Sequence, residues 1–412
     1  MHRLSLRNFA VVTTAAVLFA AGGTISPALA DDPGISPTTI LLGGTHPYSG
    51  PASAYGAIGK GIIAYFSYVN DNGGVNGRKI EYKDLDDGYS PPQAVQLTRQ
   101  LVDQDHVFAM FDQLGTPVNV ATRPYLNQNS VPHLFVATGA SMWGAEADKY
   151  PWTIGWQPDY QSEAIVYARY LLKERARAKI GVLYQNDDYG QDYLAGLKKG
   201  LGARADSIAK TVSYEVTDPD VTSQVANLKA SGADTFFIFA TPKFAAQALI
   251  AAAQQGWHPE IFLNNVSASQ TVLDAATKAG GAAAVSGIIT TQYYKDPADS
   301  GWSSDSGMQL YKRIMAKYLP SAEVADNNYM YGMAVAYTMV DALKSAGRNL
   351  TRAALMRAVT HLNETNNPFM IPGVTIHTTP SDRFPIRQER LAKYDAQAAH
   401  FVGFGAVINA RN

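Results

Sequence analysis

The chain has 412 residues, 46% hydrophobic and 17% charged, with a formal net charge of −1. That near-neutrality, with no basic run anywhere, excludes a nucleic-acid binder that works by neutralising phosphates. Cysteine is absent, which excludes thiol catalysis, iron–sulfur clusters, thiolate zinc sites and disulfide stapling; a chain this long must hold itself together by burial, in about two domains or one bilobed unit.

The first thirty residues read as a secretory signal peptide. Arg3 and Arg7 make a basic start, Phe9 to Ala21 is apolar, and Ala28-Leu29-Ala30 is an A-x-A cleavage site. The apolar run is shorter than the roughly 20 residues that span a bilayer, and no cysteine follows the site to take a lipid. A soluble periplasmic or secreted protein is therefore expected after cleavage near Ala30. It would keep 382 residues and, having lost Arg3 and Arg7, a formal charge of −3.

Strand-like and helix-like segments then alternate. Ile40 to Gly43 is a short apolar strand. Ala57 to Asn70 has helical spacing (Ile58, Ile62, Tyr65, Phe66, Val69), stopped by Asn72-Gly73-Gly74. Lys79 to Leu85 alternates as a strand, Pro92 to Gln104 is helical, and Val107 to Phe111 is a buried strand. A helix over Val118–Gln128 and a strand over His133–Ala137 complete a first α/β series.

The rhythm breaks at Pro151, Gly155 and Pro158, within an aromatic-rich stretch that holds Trp156; Trp143 lies just before it. A second series follows, with helices at Ala164–Arg175, Gly190–Leu201, Val221–Ala230 and Phe244–Gln255. Its strands are Ile180–Tyr184, Val212–Glu215, Thr235–Phe239 and Glu260–Asn264. Ile288 to Tyr294 is read as returning the chain to the first unit. Met308–Lys317 and Asn328–Ser345 are long helices, the second aromatic- and methionine-rich in the manner of core packing. After Pro372 come short strand-like pieces and turns. Two α/β units in series imply a cleft between them, a favoured place for a small molecule.

No catalytic constellation stands out. The eight histidines show no HExxH or other close metal spacing, and there is no G-x-S-x-G elbow or Walker loop. The pairs Asp86-Asp87 and Asp187-Asp188 leave a hydrolase conceivable, although such pairs more often mark strand ends and caps. No catalytic residue, metal ligand or cofactor is assigned.

The loop Pro47-Tyr48-Ser49-Gly50-Pro51-Ala52-Ser53-Ala54-Tyr55-Gly56, the turn Asn72 to Gly77, the Asp86-Asp87 strand end and the Pro91-Pro92-Gln93-Ala94 helix start together resemble branched-chain amino-acid-type solute-binding proteins of ABC importers. The resemblance covers essentially the whole chain after the signal. It implies the type I periplasmic-binding-protein fold, two doubly wound parallel-sheet lobes joined by a hinge with the ligand cleft between them. The implied lobes are residues 31–155 plus about 292–375, and 156–291 plus about 376–412. The implied partners are a small-molecule ligand and an ABC permease complex in the inner membrane, with the protein a monomer that is not an enzyme.

The resemblance also implies a site. Gln113-Leu114-Gly115-Thr116 and Ala137-Thr138-Gly139-Ala140-Ser141 match the first-lobe loops that receive a ligand carboxylate, with Thr116, Gly139 and Ser141 inheriting that role by position. Hydroxyls, backbone N–H groups and a helix N-terminus suit an anion. Tyr48, Ser49 and Tyr55 belong to the first loop, with Tyr55 lining the pocket, and Tyr189 matches a second-lobe tyrosine that closes over the ligand. Pro242 and Asn265 stand where second-lobe loops face the cleft.

This chain departs from its resemblance in one respect that matters. The acid that pairs with an amino-acid ammonium falls at about Val266, in Asn264-Asn265-Val266-Ser267, where no Asp or Glu stands. A desolvated ammonium without a carboxylate is costly. The expected ligand is thus an aromatic, keto or hydroxy acid; the alternatives are a branched-chain or other amino acid, a sensor role, and a periplasmic hydrolase.

Overall fold

The computed structural model describes Met1 and residues 32–410; apart from Met1, the signal-peptide reading and its cleavage site lie outside the described residues. Two sheets organise the rest. The first is built from β1 (Thr39–His46), β2 (Lys79–Asp86), β3 (Ala109–Phe111), β4 (His133–Val136) and β5 (Thr153–Gly155), all parallel, in the order β2-β1-β3-β4-β5. Helices α1 (Gly56–Asp71), α2 (Pro91–Arg99), α3 (Thr116–Gln128) and the short α4 (Met142–Ala145) connect these strands. The helix read over Pro92–Gln104 ends as α2 at Arg99 and widens into a π-helical turn over Gln100–Gln104.

The chain then passes through Trp156 to Tyr160 into the second unit. Its helices are α5 (Tyr160–Glu174), α6 (Asp188–Leu201), α7 (Thr222–Ala230), α8 (Pro242–Gln254) and α9 (Gln270–Gly280). Its parallel strands are β6 (Ile180–Gln185), β7 (Ile208–Tyr214), β8 (Thr235–Phe239), β9 (Glu260–Leu263) and β10 (Ile289–Gln292). β8 is an unbroken apolar run because both faces are covered, as parallel strands require: Phe236, Phe237, Ile238 and Phe239 have no exposure, and Phe237 stacks on Phe262 of β9 at 4.6 Å. The segment Ile288–Tyr294 does not itself join the first unit. β10 belongs to the second sheet, and the return comes immediately after it.

The return delivers α10 (Ser306–Tyr318), α11 (Asn327–Ala346) and α12 (Arg352–Val359) to the first unit, where α11 lies along α1. The approach is close enough to require glycine: a Cβ on Gly332 would stand 2.2 Å from the Ile58 carbonyl. After the ribbon of β11 (Asn363–Glu364) and β12 (Ile376–His377), a third crossing brings β13 (Gln388–Asp395), β14 (His400–Gly403) and β15 (Ile408–Asn409) to the second sheet, where β13 runs antiparallel to β10. Its order is β14-β13-β10-β9-β8-β6-β7, with β15 on β13. Among the described residues no helix is long and apolar enough to cross a membrane.

Candidate functional site

Between the sheets lies a small cavity lined from both sides, the kind of place a small molecule favours. The first unit contributes Tyr55 and Ile58 from the loop and start of α1. It adds Tyr89, the Leu114-Gly115-Thr116 turn that opens α3, and Ala137 at the end of β4. Gly115 is required there. Its φ is +102°, and a Cβ would meet the Tyr89 ring at 2.5 Å. The second unit contributes Tyr189, Thr241, Asn265 and Val266, while the crossings supply Gln157, Tyr160, Tyr293 and Tyr294. The start of α11 adds Asn328 and Tyr331. Seven of the lining residues are tyrosines and none carries a charge. Burial raises the phenols of Tyr55, Tyr89, Tyr189 and Tyr293 well above the usual tyrosine range, so they stay neutral.

Of the residues expected from the sequence, Tyr55, Leu114, Gly115, Thr116, Ala137, Tyr189 and Asn265 line this cavity. Thr116 Oγ1 lies 2.6 Å from Thr138 Oγ1, and Thr116 begins α3, so its hydroxyl and the helix N-terminus meet at one wall. The Tyr189 hydroxyl is 2.8 Å from the Asn264 side chain, and its ring stands edge-on to Tyr160 at 5.2 Å. Asn265 is held twice, by Nδ2 to the Thr291 carbonyl and by its backbone N–H to Glu163.

The other expected residues have different work. Tyr48 turns away from the cleft, and its hydroxyl donates to Asp84 Oδ2 at 2.5 Å. Ser49 is exposed, with its N–H on Asp86. Gln113 is buried beneath the wall, where it donates to Thr45 and Thr98 and accepts from Thr122. Thr138 braces Thr116 from behind and accepts from the Trp143 indole. Gly139 packs against the crossing, where its carbonyl accepts the Tyr160 N–H at 2.8 Å. Ser141 gives both its N–H and its hydroxyl to Asp192 of α6, each at 2.8 Å. Pro242 opens α8 beside Thr241, which takes the lining position. Three of the four paired aspartates accept backbone N–H groups. Asp187 accepts the Tyr189 and Gly190 N–H groups, Asp86 accepts three backbone N–H groups, and Asp87 accepts from Thr45 and Tyr89.

Tyr160 is the chief addition. Its hydroxyl lies close to the Thr138 and Thr116 side chains and the Gly139 backbone, so it shares a wall with two of the groups expected to receive a carboxylate, Thr116 and Gly139. Its ring stacks on Tyr193 at 4.4 Å, and Tyr193 stacks on Phe239 at 4.6 Å. Tyr160 is therefore fixed through the core of the second unit while its polar end completes a first-unit wall.

The sequence profile of the family described as "Periplasmic binding protein" matches residues 39–399. The chain belongs to that family. This periplasmic binding protein is 26% identical over 320 residues to a Leu/Ile/Val-binding protein homolog 1 of Brucella abortus, covering 75% of this chain and 79% of the relative. Among solved structures it resembles a fatty acid ABC transporter substrate-binding protein from Thermomonospora curvata, with a TM-score of 0.78, 23% identity and coverage of 93% and 96% of the two chains. It also resembles a solute-binding protein of an ABC transporter from Rhodopseudomonas palustris in complex with 3,4-dihydroxybenzoic acid, with a TM-score of 0.76, 18% identity and coverage of 90% and 98%. The fold is the type I periplasmic-binding-protein fold, two parallel-sheet lobes with the ligand cleft between them. Three relatives with three different ligand names share it, so the ligand must be argued from the site.

Proposed function

We propose that this periplasmic binding protein is the non-enzymatic, extracytoplasmic receptor of an ABC importer for a small organic carboxylate, aromatic, keto or hydroxy, in preference to an α-amino acid. The observation that carries this reading is the composition of the cavity wall, which combines seven tyrosines and an α3 N-terminus with no acidic side chain among the lining residues. The helix N-terminus with the Thr116 and Tyr160 hydroxyls suits a carboxylate. Among the residues that line this cavity an ammonium would find no carboxylate. Glu163 approaches the Asn265 loop from beneath, but its oxygens are taken by Asn265, Tyr167 and Tyr193. Burial pushes its pKa up to about 7, so it carries only part of a charge at neutral pH.

We assign the lobes to residues 31–155 with about 292–375 and to 156–291 with about 376–412, a division supported by sheet membership. Closure about the crossings at Trp156–Tyr160, after Gln292 and before Gln388 brings Tyr189 and Asn265 over the ligand, and the closed form docks on the permease. An amino-acid ligand is the second reading, favoured by the name of the Brucella relative. A thermal-shift screen separates the two. Benzoates and keto or hydroxy acids should stabilise the protein, and leucine and valine should not; strong stabilisation by leucine alone overturns the proposal.

A further inference from the structure

Two polar groups in the cavity wall have no hydrogen-bond partner. Tyr293 lies just beyond β10, at the crossing into the first lobe. It is 2% exposed, and its hydroxyl is orphaned. Asn328 lies in the first turn of α11 and is 5% exposed. Its Nδ2 lies beside the Asp326 carboxyl, whose pKa burial raises, but completes no hydrogen bond of its own. Both residues line the cavity. Buried donors left unpaired are expensive, and native proteins leave few of them. The unmet polarity continues into a smaller annex that shares Asn265 and Tyr294 with the main cavity; there Asn327 Oδ1 also lacks a partner, beside the buried Asp296. The unmet polarity thus gathers where β10 ends and α11 begins, on different elements from the Thr116 turn.

The rings fix the orientation of these groups. Tyr293 stands edge-on to Trp156 at 6.1 Å and to Tyr294 at 4.8 Å. Trp156 is itself anchored by its indole N–H on Thr338 Oγ1 at 3.1 Å. The neighbouring Tyr331 hydroxyl is already spent on Gln157 Oε1 at 3.0 Å. A carboxamide nitrogen offers only donors, and a phenol offers a donor readily. An ammonium has no lone pair to give them, and a plain hydrocarbon gives nothing. What both groups lack is an acceptor oxygen, and with the carboxylate placed at the Thr116 turn that oxygen is a second, separate one, for which no charge is needed.

We propose that the ligand carries, besides its carboxylate, an uncharged hydroxyl or carbonyl oxygen that accepts from Asn328 Nδ2 and pairs with the Tyr293 hydroxyl. This selects oxygenated acids over their unsubstituted parents. The inference rests on the carboxylate reading above and narrows it. A site built to hydrogen-bond a substrate oxygen rejects the analogue without it more strongly than an apolar pocket rejects a methylene.

The test is calorimetric titration of the full chain with matched acids: benzoate against 3- and 4-hydroxybenzoate, and 4-methylpentanoate against 4-methyl-2-oxopentanoate. At least one oxygenated member should bind about tenfold or more tighter than its parent. Tyr293→Phe, which keeps the ring packing, and Asn328→Leu should each bring that ratio to within about threefold. Equal affinity for parent and oxygenated acid in the unaltered protein overturns the inference and leaves the carboxylate reading standing. So does a ratio that survives both substitutions in variants whose melting curves show them folded. If none of these acids binds, the carboxylate reading falls and the inference falls with it.

Discussion

The Asn265 backbone N–H donates to Glu163 Oε1 at 2.7 Å, so a buried acid on α5 holds the loop that walls the second side of the cavity. Burial raises the Glu163 pKa to about 7 against the pull of hydrogen bonds from Tyr193, Asn265 and Tyr167. An acid whose pKa is higher folded than unfolded binds more protons in the native state. Its contribution is therefore present below about 4.5 and lost as pH rises through about 7. Glu163→Gln keeps an acceptor for Asn265 but cannot ionise. Its melting temperature should fall less than that of the unaltered protein between pH 5 and pH 8; an equal fall would contradict the account.

His46 sits in the opposite situation. Nδ1 is 2.9 Å from Asp84 and Nε2 is 3.3 Å from Asp112. Burial alone lowers its pKa, but the two aspartates outweigh burial and hold it at about 10. Its stabilising contribution is full below about 6.5 and is lost as pH rises through about 10. His46→Leu leaves two buried carboxylates facing each other and should cost about 3–5 kcal/mol in urea unfolding at pH 7.

Gly332→Ala reverses the usual sign of its substitution. In an exposed helix alanine gains about 1 kcal/mol over glycine. At Gly332 the new Cβ meets the Ile58 carbonyl at 2.2 Å, and backbone cannot yield as a side chain can. The variant should lose about 1–3 kcal/mol. It should also bind ligand more weakly, because Ile58 and Tyr331 on the separated helices line the cavity. A rise in melting temperature would show that the helices do not meet this way.

Thr116→Val keeps the shape of the first-lobe wall and removes its hydroxyl. A hydrogen bond to a charged group contributes about 1.5–3 kcal/mol, so affinity for a carboxylate ligand should drop about tenfold to a hundredfold, measured by titration. Unchanged affinity would remove Thr116 from the site.

The loops that follow strands were legible in the sequence. Tyr55, Thr116, Tyr189 and Asn265 all lie beside strand ends, where an open α/β sheet presents its ligand. Tyr160, Tyr293 and Tyr331 were not legible. They lie at lobe crossings and on a helix whose aromatic face reads as core, and periodicity cannot separate a tyrosine facing a cavity from one facing a neighbour. The Tyr48 side chain is captured by Asp84, a carboxylate on β2 that no local pattern links to it. His46 escaped for the same reason, since its partners lie 38 and 66 residues away. Pro242 missed the wall by one position, because the cap before a helix rather than its first residue meets the cavity.

The residues that line the cavity include no carboxylate to pair with an ammonium. Unfolding of the protein should be followed with each acid and each amino acid in turn. A ligand at 100 times its Kd adds about 2.7 kcal/mol. A gain of that order is expected with a small aromatic, keto or hydroxy carboxylate and none with leucine or valine at the same concentration. A gain with leucine or valine and none with the acids would contradict the carboxylate reading.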